Sequence, residues 1–281
     1  MADDQKRSIL ITGCSSGIGY AAAHELAGRG WQVFATCRQE ADCDRLAAEG
    51  LTSFRLDYEV PPTITTAFAR AMAATGGRLD AVFNNGAYAI PGAVEDLPTE
   101  ALAAIFQANL FGWHELVRLA LPVMRRQGHG RIVQNSSVLG FTALTGRGAY
   151  VATKFALEGL TDTLRLELRG TPVHVVLIEP GPIDTKIRIN SYLNFKKWID
   201  WQGSPHRTIY ETKLIPRFEA ERINDPFELP PSAVVKKLIH ALEAPRPRPR
   251  YYVTLPTHIM GLARRLMSTR VLDGFITRFV G

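Results

Sequence analysis

Short, nearly unbroken apolar runs alternate with longer helical patterns along most of this chain. That rhythm constrains its fold more than any other feature. The runs fall at residues 8–12, 31–36, 52–56, 79–84, 131–136, 173–179 and 251–254. Most are continuously apolar rather than alternating, as strands covered on both faces are. Between them lie stretches with helical spacing, such as 18–29, 101–126 and 150–169. Strands alternating with helices mean βαβ units and a parallel sheet. Right-handed crossovers put helices on both of its faces. The expected fold is a doubly wound parallel α/β sheet of about seven strands, with ligands at the carboxyl ends of those strands.

The rhythm ends at Pro180. Residues 182–230 show no clear strand, but carry Ile183, Ile187, Ile189, Tyr192, Leu193, Phe195, Trp198 and Trp201 among many charges. This segment reads as a lid over the substrate or as an extra helix pair. A helix resumes near 231–244, and alternating Pro and Arg at 245–250 make a stiff extended connector. The expected organisation is one domain over 1–281: a cofactor-binding and catalytic body at 8–181, a lid at 182–230, and a last helix, last strand and basic tail at 231–281.

Apolar residues make up 46% of the chain and charged residues 21%, the average for a globular protein, which excludes disordered and collagen-like chains. No apolar run reaches 18 residues, so no membrane-spanning helix is expected. The start is polar, and the apolar run after it is too short for a signal peptide. Cys14, Cys37 and Cys43 are odd in number and not spaced as metal ligands. A cytoplasmic protein with no metal is expected.

The formal charge of +6 is unevenly placed. Residues 1–245 hold 26 basic and 26 acidic residues, whereas 246–281 hold seven arginines and one acid, Asp273. No RNA-binding signature accompanies the excess, so no nucleic-acid partner is expected. The tail also carries Ile259, Leu262, Leu266, Leu272, Phe275, Ile276 and Phe279 at helical spacing. Two readings stay open: a terminal helix packed over the pocket or a subunit edge, or a weak contact with an anionic membrane surface.

The first strand runs straight into Thr12-Gly13-Cys14-Ser15-Ser16-Gly17-Ile18-Gly19 and then a helix. A strand, a glycine-rich turn and a helix are what a dinucleotide loop requires. Gly13 makes the tight turn, Gly17 admits the pyrophosphate and Gly19 lets helix and strand pack closely. The alternative is a structural turn, since G-x-x-x-G-x-G departs from the commoner G-x-G-x-x-G. Sites that select NAD place an acid at the end of the second strand. Here Thr36-Cys37-Arg38 precedes any acid. Arg38 suits a 2′-phosphate, so NADP(H) is expected; the alternative is a solvated arginine.

Tyr150 and Lys154 are four residues apart on a helical stretch and share a face. An ammonium ~4 Å from a phenolate at an effective dielectric of ~20 attracts it by ~4 kcal/mol. That pulls the phenol's pKa down toward neutrality until desolvation opposes it. Such a tyrosine exchanges a proton with an alcohol or carbonyl oxygen. Ser137, closing the fifth run, falls at the sheet edge beside that helix. Tyr192 and Lys196 repeat the spacing, but the residue 13 positions upstream is Glu179 rather than a serine. They read as a chance pair.

Together, the glycine loop, Asn84-Asn85-Gly86-Ala87, Asn109, Ser137, the Tyr150–Lys154 pair and Pro180-Gly181 resemble the short-chain dehydrogenase/reductases over about residues 8–185. The Thr-Cys-Arg step and long C-terminal part are most similar to NADP-dependent aldehyde reductases and the hydroxysteroid and retinol dehydrogenase branch. The resemblance implies a Rossmann-type fold and hydride transfer between NADP(H) and an apolar aldehyde or ketone. In that reading Tyr150 is the general acid/base. Lys154 lowers its pKa and holds the nicotinamide ribose, Ser137 orients the carbonyl, and Asn109 holds a relay water. Gly13, Cys14, Ser15, Ser16, Gly17, Ile18, Gly19 and Arg38 bind the phosphates and ribose. Asp57 meets the adenine, Asn85 and Gly86 line its ribose, and Pro180, Gly181, Ile183 and Thr185 flank the nicotinamide. The family usually reads Asn-Asn-Ala-Gly where this chain has Gly86-Ala87. On the residues alone, Asn109 reads equally as a backbone-satisfying helix residue, Asp57 as a turn acid and Cys14 as a small buried residue. A homodimer through the helices at 101–126 and 150–169 is implied by the resemblance. Steroid- or retinoid-type alcohol oxidation is the alternative activity, and a non-catalytic cofactor-sensing or membrane-surface protein a further one.

Overall fold

In the computed structural model, which describes residues 6–220 and 226–279, the seven expected runs form one parallel sheet. The polar start at 1–5, the lid residues 221–225, the Phe279 side chain, Val280 and Gly281 lie outside the described residues. The strands are β1 (Ser8–Thr12), β2 (Gln32–Cys37), β3 (Thr52–Arg55), β4 (Ala81–Asn84), β5 (Gly130–Asn135), β6 (Val173–Glu179) and β7 (Arg250–Tyr252), in the order β3-β2-β1-β4-β5-β6-β7. The order reverses between β1 and β4, and doubly wound sheets bind ligands at that point. Every residue of β1 and β4 is buried, as the continuous apolar runs predict.

Helices α1 (Gly17–Gly28), α2 (Glu40–Ala48), α3 (Pro61–Ala74), α4 (Thr99–Phe106), α5 (Gly112–Gln127) and α6 (Gly148–Glu167) connect the strands. Beyond β6 come α7 (Ile187–Trp198), α8 (Arg207–Ile209), α9 (Ile215–Glu219) and α10 (Pro231–Glu243), and beyond β7 come α11 (Leu255–Leu266) and α12 (Thr269–Phe279). One apolar core joins α1 and α10 to the sheet through Leu26, Val234 and Leu238. A second joins α3 and α5 to it through Ile64, Phe68, Trp113 and Leu116.

Three expectations are corrected. The stretch at 101–126 is not one helix: a π-helical turn, Gln107–Phe111, separates α4 from α5. Asn109 within it is fully buried and bonded outward, and such an inserted turn re-aims a side chain. The last strand ends at Tyr252 rather than 254, because β6 stops at Glu179, its partner. The tail holds two helices, not one.

Candidate active site

The glycine loop lies where β1 meets α1. Gly13 and Gly17 have φ of 70° and 59°, which favours glycine. A Cβ on Gly13 would come 2.6 Å from Gly86 Cα, one on Gly17 2.9 Å from the Thr185 methyl, and one on Gly19 2.3 Å from Gly13 O. The loop is thus a cradle that side chains would fill. Ser16 precedes α1 without a capping side-chain bond, and no acid occupies the first turn. The first N–H groups of α1 and its dipole therefore suit a phosphate, and Ile18 packs inward on the first core. These residues fit a dinucleotide.

Gly86 is explained by packing. Its N–H and that of Asn85 donate to Thr12 Oγ1 at 3.1 and 2.9 Å, and Trp113 Nε1 donates to its carbonyl. Close approach to Gly13 requires a small residue here whatever the order of the Gly-Ala step. Asn85 Nδ2 donates to Thr12 O at 3.0 Å, and Asn135 Nδ2 donates to Asn85 Oδ1 at 2.8 Å. Cys14 is fully buried, with its thiol pushed up to about 12 by burial, so it is a packing residue.

Arg38 follows β2 and is exposed, beside Arg55, which donates to its carbonyl at 3.1 Å. Arg45, which sequence reasoning missed, reaches from α2 to donate to Ser15 O at 2.7 Å. Its signal, a basic residue on the helix after β2, was too common to single out. Asp57 accepts the Glu59 N–H at 3.0 Å and sits 3.8 Å from Arg55. It shapes the turn into α3.

Ser137 follows β5. Its hydroxyl accepts the Leu139 N–H at 3.1 Å. Burial pushes the Tyr150 phenol up to about 12, with the Ser137 hydroxyl pulling it down by less. Lys154 is 1% exposed; its Nζ donates to Asn135 O at 2.8 Å and lies 4.3 Å from the Trp113 ring centroid and 5.5 Å from that of Tyr150. Burial depresses its pKa to about 7, with Glu158 pulling the other way. In the protein by itself, burial raises the phenol and lowers the ammonium, which is the opposition that the Tyr–Lys spacing leaves to desolvation. Desolvation disfavours both charged forms, and the ammonium is bonded to a carbonyl.

Asn109 Oδ1 accepts the Tyr88 N–H at 3.1 Å, while Nδ2 donates to Tyr88 O at 2.8 Å and Thr153 Oγ1 at 3.3 Å. Its side chain ties the π-turn to α6. Pro180 O accepts from the Val138 N–H at 2.8 Å, which fixes the Ser137 turn against the end of β6. Gly181 abuts Thr254 and Thr257; Ile183 pairs with Leu229 in a single bridge; Thr185 overhangs the glycine loop. The chance pair stays outside: Tyr192 donates to Glu219 at 2.6 Å, and Lys196 lies over its ring.

Behind the site lies a charge cluster that sequence reasoning also missed. Arg250 on β7 pairs with Glu158 and Asp162 of α6 and with Glu179, which ends β6. Burial and Glu158 push the Glu179 carboxyl up. The lid aromatics form core rather than open lining. Phe195, Tyr210 and Phe218 are buried with Ile90, Ile105 and Ala149, and Tyr150, Tyr192, Trp198 and Trp201 pack against them.

Residues 7–194 match the model of the short chain dehydrogenase family. The chain belongs to the short-chain dehydrogenase/reductases, a family of oxidoreductases. It is 38% identical to the uncharacterized oxidoreductase YbbO of Escherichia coli K12, over 95% of this chain and 93% of that one. It is 30% identical to human retinol dehydrogenase 8, over 86% and 79%, and 32% identical to human 17-beta-hydroxysteroid dehydrogenase type 1, over 88% and 77%. Among solved structures, a short-chain dehydrogenase from Streptomyces avermitilis superposes with a TM-score of 0.78 at 26% identity, covering 99% of this chain and 97% of that one. The chain thus fits the hydroxysteroid and retinol branch of the family.

Proposed function

We propose that this oxidoreductase reduces apolar aldehydes or ketones with NADPH, with Tyr150 as general acid. The observation that carries the reading is the convergence of Ser137, Tyr150 and Lys154 at the sheet edge, with Tyr150 holding its proton well above neutral pH. When bound, the nicotinamide supplies the hydride. Ser137 orients the carbonyl oxygen, and Tyr150 donates the proton that the developing alkoxide needs. Lys154, whose Nζ lies 5.5 Å from the Tyr150 ring centroid, would replenish that proton and hold a ribose hydroxyl. Asn109 acts in the relay by fixing α6 through Thr153.

Support for NADP(H) over NAD(H) is the absence of an acid before Glu40 at the end of β2, together with Arg38 and Arg45. Two guanidinium groups on that side of the loop suit a 2′-phosphate. Support for an apolar substrate comes from relatives named for a steroid and a retinoid. Those names favour a second reading, oxidation of a steroid- or retinoid-type alcohol, by the same residues run in reverse. Three free, buried cysteines support a cytoplasmic location. Phe111 and Leu160, exposed beside and on the two long helices, support a homodimer through them.

Tyr150→Phe tests the assignment. NADPH-dependent turnover of a medium-chain aldehyde should fall about 10³-fold while NADPH binding changes little. Near-normal turnover in the variant would overturn the role of Tyr150. A substrate panel of aliphatic, aromatic, retinoid and steroid carbonyls, followed by NADPH absorbance, separates the two readings.

A further inference from the structure

The inner and outer faces of α11 are both apolar, and the fold uses only the inner one. Thr257, Met260 and Gly261 are buried, and a Cβ on Gly261 would lie 2.5 Å from the Tyr252 ring. On the opposite side, Leu255, Ile259, Leu262 and Leu266 are exposed, the last two at 60% and 74%. Their spacing places them within an arc of about 60° on a helix of 3.6 residues per turn. Met267 and Val271 carry the exposed stripe onto α12. Arg265 and Arg270 are exposed beside it, and Asp273 is the one acid among residues 246–281.

We propose that this face of α11 and α12 docks on an anionic phospholipid membrane surface, with the apolar stripe among the headgroups and the arginines on phosphates. The charge of the segment selects this occupant. A second copy meeting the stripe across a two-fold axis would bring the same arginines together. An anionic surface complements both features at once, apolar side chains among the headgroups and arginines on the phosphates. α11 also touches the catalytic turn: Arg264 donates to Phe141 O at 2.7 Å, and Phe141 packs on Tyr252. Docking would therefore bring the Ser137 side of the site to the bilayer. The idea that apolar substrate arrives from lipid rests on the proposed function; the docking itself does not.

The test is flotation of the full chain with phosphatidylglycerol-containing vesicles and with pure phosphatidylcholine vesicles, at low and high salt. Two surface variants, Leu262→Glu/Leu266→Glu and Arg265→Glu/Arg270→Glu, are run alongside. Circular dichroism and thermal unfolding check that both stay folded. The wild type should float with the anionic vesicles, and the floated fraction should fall about tenfold or more in either variant, on pure phosphatidylcholine, or at high salt. Absence of flotation, or equal flotation of wild type and variants, overturns the proposal. So does a drop in solution mass of the leucine variant without wild-type flotation, which would assign the stripe to contact between copies. Flotation reads no turnover, so a failed substrate assignment leaves this result standing.

Discussion

Around Tyr150, polar groups are held by distant parts of the chain, whereas along α11 and α12 apolar and basic side chains stand in solvent. The contrast runs through a single segment. Arg250, at its start, is drawn into the body by Glu158, Asp162 and Glu179. Arg265 and Arg270, 15 and 20 positions on, stay exposed. Arginines that look alike in composition therefore do different work. One fixes the helix that carries Tyr150 and Lys154, and the others shape a surface. Where an arginine is enclosed, its removal strands buried carboxylates; where it is exposed, its removal changes only what the surface attracts.

The largest expected effect sharpens this difference. Arg250→Met should lower stability by about 3–5 kcal/mol, because it leaves Glu158 and Glu179 buried without their cation. Arg265→Met should change stability by less than about 0.5 kcal/mol. Urea unfolding of both at pH 7 makes the measurement. The loss in Arg250→Met should grow from pH 7 to pH 9, where Glu179, raised to about 8 by burial and by Glu158, takes up its charge without the cation beside it. Equal costs for the two substitutions would break the comparison.

Next comes the glycine cradle. Gly19→Ala puts a Cβ against Gly13 O, where backbone cannot give way. Overpacking of this kind costs about 1–3 kcal/mol. NADPH affinity should fall about tenfold or more as the loop opens, read by fluorescence titration. Unchanged affinity would show that the loop tolerates a displacement this close to the phosphates.

The sequence carried the sheet, and marked the candidate site, because their signals are local. A strand's apolar run, a glycine turn and a Tyr–Lys spacing each lie within about ten residues. What it did not carry is long-range. The Arg250 cluster joins residues 71 to 92 positions apart. Tyr58 donates to Asn84 Oδ1 at 2.6 Å, and Asn84 donates to Gln134 at 2.8 Å, a buried chain beneath the cofactor edge with no motif to announce it. How far desolvation opposes Lys154 at Tyr150 was not legible for the same reason. Spacing reveals that a lysine is near, but not that both groups are buried and that a backbone carbonyl holds the ammonium. The aromatic lid was legible as a segment, yet only packing against α4 and α6 turns its rings into core.

Burial of Lys154 makes a smaller, signed prediction. Its folded pKa of about 7 lies below its unfolded value, 10.5. Between these limits the unfolded chain binds more protons, so this residue's contribution makes stability rise with pH. Other groups titrate in the same range, and comparison with Lys154→Met cancels them. The stability of wild type minus that of Lys154→Met should grow by about 1 kcal/mol from pH 8 to pH 9. A flat difference would mean that the ammonium stays charged, and that the site differs less from the exposed tail than its burial implies.

The smallest effect tests the tail itself. Gly274 lies inside α12, and a Cβ there meets nothing within 4 Å. Gly274→Ala should therefore stabilise the helix by about 0.5–1 kcal/mol, the reverse of Gly19→Ala. Whether that gain reaches the whole protein depends on coupling. A helix that opens independently of the sheet shows the gain only locally, as amide exchange in α12 slowed roughly two- to five-fold, while the global unfolding midpoint stays put. A helix locked to the body shows it in the midpoint as well. The exposed stripe on α11 and the continuation of that stripe at Val271 favour the local outcome. A midpoint that rises by the full amount would instead make α12 part of the same cooperative unit as the catalytic edge, and would dissolve the distinction between a packed body and a surface-seeking tail.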